Sequence, residues 1–455
     1  MPTKPKIKTL SNSSVDIMNA IRNSASTNYR DYVPIATQDA SSVRTIGAII
    51  MDNPQLQNEF LSALVNRIAR VLVTSRMFDN PLRMFKKGFL EFGETVEEIF
   101  VNISKAHTFD PEVAEQKVWA REIPDVRSAF HVMNYQKFYK QTISDDQLRQ
   151  AFLSWDGVTD LISKIVEAIY TASNYDEFLV TKYLLAKNIL NGRIKATQIP
   201  AINATNMKSI VSTVKETMNN LTFLNNEFNV AGVMNSTPIT EQYIILNTKF
   251  DAVMDVEVLA SAFNMDKATF MGQRLVIDGF GNLDMTRLNE LFADDEWFTP
   301  ITQEECDALN SIPAVVVSSD YFMIFDNTQK FTELYNGEGM YWNYWYHVWK
   351  TFSVSPFAQA SLFIADNVAI TSVTVSPKEA TVIAGQSIQM TAKVETEGFD
   401  SQVVVWSVDD PTKASINATG LLEVDAKANK GDTITITATS IADSTKSDTA
   451  TITVA

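Results

Sequence analysis

The side chains that could carry out catalysis or bind a metal are few and far apart in this chain. Its 455 residues include one cysteine, Cys306, and three histidines, His107, His131 and His347. One cysteine excludes an intramolecular disulfide and a cysteine-based zinc cluster, and the histidines form no metal-ligand pair at helical spacing. Cys306 also has acidic neighbours, which we expect to raise its thiol pKa and oppose its use as a nucleophile.

Pairs of adjacent acids are the next candidates for metal or acid–base chemistry. They are Asp145-Asp146, Asp294-Asp295 and Asp409-Asp410. Adjacent side chains on a helix or strand point apart, and no third ligand recurs at a useful spacing, so we interpret these pairs as solvated surface. The glycines at 279–281 and 337–339 lack the full dinucleotide-binding fingerprint and are interpreted as turns. No cofactor, no metal and no enzymatic activity is predicted.

The densest aromatic segment, residues 341–349, could form a stacking platform for a sugar or a nucleic-acid base. Alternate side chains of a strand take opposite faces, so this segment carries rings on both, with Tyr341, Trp345 and Trp349 on one and Trp342, Tyr344 and Tyr346 on the other. Rings on both faces are more typical of a strand buried in a core or an interface. We therefore favour packing over ligand binding, and we interpret His347 as a packed histidine.

Composition and charge favour a structural protein. The chain is 45% hydrophobic and 20% charged, and its length indicates two to four domains. A net charge of −16 argues against a broad basic surface that wraps nucleic acid. We interpret the clustered Lys4, Lys6 and Lys8 as a solvated tip. No apolar run is long enough for a membrane span and the N-terminal residues lack a signal-peptide core, so we expect a cytosol-like compartment.

Hydrophobic periodicity predicts the elements that position these side chains. Residues 1–50 are too polar to build a core and predict an arm. An apolar stripe predicts a helix from Asn53 to about Val73, and a glycine turn in 89–101 predicts a hairpin with little apolar content. Residues 156–190 predict one helix of roughly 50 Å at 1.5 Å rise per residue. Such a helix needs sustained packing along one face.

The second half of the chain changes character near Asn367. Residues 200–335 alternate short helices and strands, as in a compact α/β domain. Residues 340–365 form an aromatic strand region, and from Val368 onward short Thr- and Val-rich runs alternate with turn signals. These runs predict a β-sandwich of about ninety residues with Trp406 in its core.

Segments across most of the chain, among them Asn80–Gly88, Leu259–Met265 and Gly339–Trp349, resemble the major capsid proteins of small tailed bacteriophages of the phi-twenty-nine type. The resemblance implies an α+β protein with the tailed-phage capsid fold named after phage Hong Kong ninety-seven. Val373–Pro377 and Ala418–Leu422 resemble bacterial immunoglobulin-like domains of group 2, which implies an all-β immunoglobulin-like sandwich at the C-terminus.

The resemblance implies a division of the chain into named parts. They are an N-terminal arm at 1–50, a capsid-fold domain at 51–367 and an immunoglobulin-like sandwich at 368–455. Within the capsid-fold domain they are an extended loop at about 76–140, a spine helix at about 156–190, an axial domain at about 200–335 and returning peripheral strands at about 340–365.

The function that the resemblance implies is that of a major capsid protein, which is not an enzyme and assembles as pentamers and hexamers into an icosahedral shell around double-stranded DNA. The expected partners are further copies, a scaffolding protein, a portal or head–tail connector, packaged DNA bound without sequence specificity, and host surface glycans at the C-terminal domain. The expected location is the virion capsid, assembled in the bacterial cytoplasm. Intersubunit contacts are expected at Tyr32, Phe85, Lys86, Lys87, Phe89, Glu94, Glu97 and Glu98.

Two other classes of protein compete with this interpretation. A surface adhesin would use the C-terminal sandwich to bind carbohydrate and would need a secretion signal or a cell-wall anchor. A polymer hydrolase would need a convergent pair of acids, and the sequence indicates none.

Overall fold

The computed structural model describes residues 14–60, 63, 78–90, 95–104, 106–107, 124–145, 157–203, 205–255, 273–295, 298–365 and 368–455. The α-helices are α1 (Ser14–Ser24), α2 (Thr27–Tyr32), α3 (Ala40–Asp52), α4 (Gly157–Leu190), α5 (Met207–Asn220), α6 (Thr248–Met254), α7 (Met285–Leu291) and α8 (Gln303–Asn310). Residues 54–60 are also helical, and the rest of the helix predicted from Asn53 lies almost entirely outside the described residues.

The strands of the first 365 residues are β1 (Lys86–Phe89), β2 (Val96–Val101), β3 (Val126–His131), β4 (Tyr135–Ser144), β5 (Lys195–Gln198), β6 (Gln242–Asn247), β7 (Gln273–Ile277), β8 (Ala314–Ser318), β9 (Phe322–Asn336), β10 (Tyr341–Val354) and β11 (Ala360–Ile364). The later strands are β12 (Ala369–Ser376), β13 (Glu379–Val382), β14 (Ser387–Gln389), β15 (Thr391–Glu397), β16 (Val404–Val408), β17 (Ala414–Ile416), β18 (Leu421–Val424), β19 (Thr433–Ser440) and β20 (Ser447–Val454).

Helices α1 to α3 pack against β10 and share an apolar core with it. Tyr29 and Ile46 lie in one apolar cluster with Trp342 and Tyr344 of β10. The Asn19 side chain reinforces this unit, since its amide nitrogen donates to the Ala36 carbonyl oxygen at 2.9 Å and its oxygen accepts from the Ala36 amide at 2.8 Å. The apolar side chains of residues 14–50 thus complete this core with side chains of a distant strand and do not form it alone.

Helix α4 spans 34 residues, as the sequence predicts. Its second half contributes Leu179, Leu185 and Ile189 to the largest apolar cluster. The helix stops at Gly192, whose φ of +58° is left-handed, and the Arg193 amide donates to the Asn188 carbonyl oxygen at 2.9 Å. Over the described residues, neither α4 nor any other helix is apolar enough for long enough to cross a membrane.

The first sheet has the strand order β1-β9-β10-β4 and carries the aromatic segment. The hairpin predicted within residues 89–101 is wrong: β1 pairs in parallel with β9, while β2 pairs in antiparallel fashion with β3. The free edge of β9 offers backbone partners to β1, and the Leu90 amide continues that pairing by donating to the Asp326 carbonyl oxygen at 2.7 Å. β1 and β2 follow each other in the sequence but therefore belong to different sheets.

The second sheet has the strand order β5-β11-β8-β6-β7 and is covered on both faces. Helix α5 packs on one face through a cluster that includes Val214 and Phe363. Helices α4, α7 and α8 pack on the other through the largest cluster. Strands β6, β7 and β8 lie within one residue of the strands that the sequence predicts at 242–246, 274–278 and 314–318. Strand β11 pairs with β5 and β8, so residues 360–364 belong to this sheet and not with the peripheral strands predicted for 340–365.

Residues 369–454 form the predicted β-sandwich. Its strands make a sheet of order β13-β20-β19-β16, a second of order β14-β18-β17, and the pair β12-β15. Buried aliphatic side chains, with Met390, Ile434 and Ile436 among the least exposed, fill the interior. Trp406 packs against this core but is only partly buried, so it lies at the margin of the core and not at its centre as predicted.

The interpretation of the acidic pairs as solvated surface is wrong for Asp145. Asp145 is buried, and its carboxylate accepts hydrogen bonds from Gln57 Nε2 at 3.0 Å and from the Tyr335 hydroxyl at 3.1 Å. These bonds tie the segment after β4 to the N-terminal helices and to β9. The exposed Asp294 and Asp409 agree with the prediction.

A buried cluster of four charges joins α4 to the first sheet. Glu177 of α4 accepts from the ammonium groups of Lys350 and, at 3.2 Å, Lys86, while Lys86 also lies 2.6 Å from an Asp326 oxygen. Burial by itself would raise the pKa of Glu177, but the charges and hydrogen bonds of Lys350 and Lys86 outweigh burial and lower that pKa. The cluster has two positive and two negative charges and fastens the helix to β1, β9 and β10.

Replacing Glu177 by alanine should destabilise the subunit by about 3–5 kcal/mol, because Lys86 and Lys350 are then left with Asp326 as their shared acidic partner. Chemical denaturation of the purified chain measures this change. Glu423→Ala, at an exposed position of β18, is the control and should change the unfolding free energy by less than about 0.5 kcal/mol. Equal effects of the two substitutions would contradict the assigned role of the cluster.

The same cluster predicts a dependence on pH. The pKa of Glu177 is lowered from its ordinary value of 4.5, so its contribution is complete above pH 4.5 and is lost as the pH falls through the folded-state pKa. The difference in unfolding free energy between the parent chain and Glu177→Gln should therefore be largest near neutral pH and shrink in acid. Denaturation series at several pH values check this, and a constant difference would refute it.

Candidate intersubunit contact surfaces

The β2–β3 hairpin has an inner face that is fastened to its own subunit. The Phe100 ring stacks on the Phe357 ring with centroids 5.5 Å apart. The Arg127 guanidinium donates to the Ala231 carbonyl oxygen. A stacked ring pair and a charge-assisted hydrogen bond hold this face in one orientation.

A polar network holds the root of the hairpin. His131 Nδ1 lies 2.8 Å from Ser353 Oγ, and its Nε2 lies 3.2 Å from a Glu98 oxygen; the other Glu98 oxygen accepts from the Ser355 hydroxyl at 2.8 Å. Serine, histidine and a carboxylate joined in this way are the groups that many hydrolases use. Here the imidazole is only 2% exposed and both of its nitrogens are engaged in joining β3 to β2 and β10. The arrangement anchors the hairpin.

The outer face of the hairpin is apolar and open to solvent. Its side chains alternate with those of the inner face, and the largest of them are between 54% and 64% exposed: Ile99, Val101, Val126 and Phe130. Glu97 is exposed on the same face, opposite Phe130 in the strand register. A contiguous apolar face of this kind is typical of a surface that another protein covers. We call these five side chains the outer hairpin face.

The first sheet also has one covered face and one open face. Even-numbered β10 residues such as Trp342 and Tyr346 are buried against the helices, as the packing interpretation of this segment predicts. The other face mixes rings with basic groups, and its members in β4, β9 and β10 are Phe138, Lys140, Lys330, Trp345 and His347. Lys140 Nζ lies 5.7 Å from the Trp345 ring centroid, and Phe138 is 57% exposed. We call these five side chains the open sheet face.

The residues considered for catalysis do not converge. Cys306 is buried in α8, and burial raises its thiol pKa, with the nearby charges of Asp307 and Glu305 adding to the effect. His347 Nε2 lies 3.2 Å from the Thr332 hydroxyl within the open sheet face. Among the residues that the structure describes, no three His, Cys, Asp or Glu side chains are grouped so that they could hold a metal ion.

Four of the residues predicted to make intersubunit contacts are exposed in the subunit, including Lys87, which also has an ion-pair partner, Asp320, within it. Phe89 at the end of β1 is 64% exposed and Tyr32 at the end of α2 is 61% exposed. Glu97 lies on the outer hairpin face. These side chains are free to meet another copy.

The other predicted contact residues lie outside the described part or have partners within the subunit. Phe85 is 1% exposed and its ring lies 4.8 Å from that of Phe322; Lys86 belongs to the buried charge cluster. Glu98 is held in the root network, and Glu94 lies outside the described residues. Phe85 and Lys86 therefore stabilise the subunit itself.

The sequence interpretation missed the outer hairpin face. Residues 96–101 and 126–131 both alternate between exposed and covered positions with period two. The sequence itself does not show this alternation, because each face of both strands mixes apolar and polar residues. A period-two search for apolar residues would therefore not have found the pair.

Comparisons with known proteins agree along nearly the whole chain. Residues 18–364 match the family model of Phi29-like phage major capsid proteins, and residues 369–453 match that of bacterial Ig-like domains of group 2. The chain is 39% identical over 433 residues to the major capsid protein of Bacillus phage B103, covering 94% of this chain and 90% of that protein. It is 38% identical to the major capsid protein of Bacillus phage PZA with the same coverage.

Among solved structures, the capsid of Staphylococcus phage Andhra has a similar fold. The likeness has a TM-score of 0.51 at 14% sequence identity and covers 65% of this chain and 86% of that one. The described helices and sheets therefore form the tailed-phage capsid fold, with an immunoglobulin-like sandwich after it. With a family model that matches residues 18–364 and relatives that match over 94% of its length, the chain belongs to the Phi29-like phage major capsid protein family.

Proposed function

We propose that copies of this chain build the shell of a tailed phage by placing the outer hairpin face of one copy on the open sheet face of the next. The observation that carries this proposal is that one subunit exposes two unlike and complementary faces. Apolar side chains lie on both, while Glu97 on the first can meet Lys140 and Lys330 on the second. Burying these faces against each other removes apolar surface from water and pairs the charges.

Two unlike faces on one subunit determine the kind of assembly. A contact between different patches is heterologous, and repeating it closes a ring when the rotation between copies permits. Rings of five and six copies are the capsomers expected of an icosahedral shell. The work of the chain is then contact between copies.

The finer partners follow from this role. Assembly in the host cytoplasm would use a scaffolding protein, and one vertex would take a portal or head–tail connector. Double-stranded DNA would fill the shell without sequence-specific binding. The net charge of −16 supports weak, non-specific contact, because a negatively charged protein repels the phosphate backbone. Glycan binding by the C-terminal domain stays a prediction.

Phe130→Asp should abolish shell formation while leaving the subunit folded. The side chain is 64% exposed in the subunit, so a charge costs little there, but in the contact it would be buried without a partner. The measurement is electron microscopy and sedimentation of the protein co-expressed with its scaffolding protein. Ile383→Asp, at an equally exposed apolar position of the C-terminal domain, is the control and should still give shells. Normal shells from Phe130→Asp would overturn the hairpin contact.

A charge exchange tests which face receives the hairpin. Lys140→Glu places an acid opposite Glu97 and should lower the yield of shells, since like charges at a contact repel. Combining it with Glu97→Lys should recover much of the yield, because the pair is restored with its signs exchanged. Sedimentation of the single and double variants measures this. A double variant no better than Lys140→Glu alone would argue against the open sheet face as the acceptor.

A further inference from the structure

The sandwich touches the capsid-fold part of its own chain at the end of α4. The Gln402 amide donates to the Gly192 carbonyl oxygen at 2.7 Å. The Ala196 amide, at the edge strand β5, donates to Asp400 Oδ1 at 3.0 Å. Two backbone groups that would otherwise face water are thus satisfied by the loop between β15 and β16. We call the contact of residues 399–402 with Gly192 and Ala196 the latch.

Asp400 is the polar centre of the latch. It is 8% exposed, and the same Oδ1 atom also accepts from the Ser401 amide at 2.7 Å. Burial raises the pKa of this carboxyl, while the two backbone donors and Lys195 oppose the rise. An acid is accommodated in such a place only when hydrogen-bond donors meet it there. The latch therefore has the character of a formed interface and not of a chance surface contact.

Apolar packing and a glycine support the polar bonds. The Phe399 ring packs against the large core that α4 helps to form. At Gly192, where φ is +58°, a Cβ atom would come within 2.6 Å of Gln402 Cγ. The close approach therefore requires glycine both for its backbone conformation and for space.

The latch lies beside the loop that holds the hairpin. A Cβ atom at Gly232 would lie 3.7 Å from methyl groups of Val405 and Ile441 in the sandwich. One residue earlier, the Ala231 carbonyl oxygen accepts from Arg127 of β3. The sandwich thus supports residues 231–232 from one side while the hairpin is anchored to them from the other.

We infer that the immunoglobulin-like domain is an intrachain brace, which docks in one orientation through the latch and stiffens the hairpin that carries the outer hairpin face. The partner that fits this surface of the capsid-fold part is the chain's own C-terminal domain. When the C-terminal domain leaves the latch, the loop at 231–232 can move and the hairpin root becomes more mobile. The docked domain also presents its outer surface at a fixed angle to the subunit.

A distance measurement on the full, unassembled chain tests the docking. Spin labels at Ser209 and Ser387, exposed positions of the two parts, in a Cys306→Ala background give the distance between the parts. The parent and Asp400→Asn, whose amide oxygen can still accept both backbone bonds, should give one narrow distribution. Asp400→Ala and Gly192→Ala should broaden it. A parent distribution as broad as that of Asp400→Ala would overturn the docking, whether or not shells form.

Matched controls and a second readout test the brace. Asp410→Ala removes comparable turn hydrogen bonds, to Thr412, away from the latch. Gly431→Ala introduces a side chain at a φ of +91° with no atom within 4 Å. Both should keep the narrow distribution. Hydrogen exchange of the 96–101 and 126–131 amides should accelerate several-fold in Asp400→Ala and not in these controls. Unchanged exchange in an undocked variant would overturn the brace.

Discussion

Glu177 places a negative charge in the interior of the subunit, and the elements around it are arranged so that this charge is neutralised. Lys350 comes from β10 and Lys86 from β1, while Asp326 of β9 balances the second lysine. An ion buried without partners costs several kcal/mol, so α4 can occupy its place only with these strands in register beside it. The first sheet supports the helix, and the helix in turn supplies the largest apolar core.

The hairpin and the sandwich are attached at different points to α4 and the first sheet. The hairpin root is held by Ser353 and Ser355, at the far end of the strand that carries Lys350. The latch forms where α4 ends, at Gly192, and β5 begins. Both attachments therefore depend on the positions of α4 and β10.

The local pattern of apolar residues was enough to predict the elements that can be recognised from their own sequence alone. The apolar stripe of α4 and the alternating runs of the sandwich are readable because each buries one face by its own repeat. Strands β6 and β8 are readable as short, nearly continuous apolar runs, which are typical of strands covered on both faces. Pairing over long separations was not readable. β1 and β2 look like a hairpin from composition, yet β1 joins β9, and the same loss of long-range information made Asp145 look like a surface acid.

The contact faces were the hardest part to foresee, and the reason is physical. The same residue types are buried inside a subunit and at contacts between subunits. Phe85 and Phe130 are therefore indistinguishable in the sequence, and only the fold shows that the first is 1% exposed and the second 64%. In the hairpin, the polar network at His131 shows which face is exposed. It covers one face of the strands, and within the described subunit the other face has no cover. In the proposed assembly a further copy covers this apolar face, and the stability of the folded chain then increases with the concentration of copies.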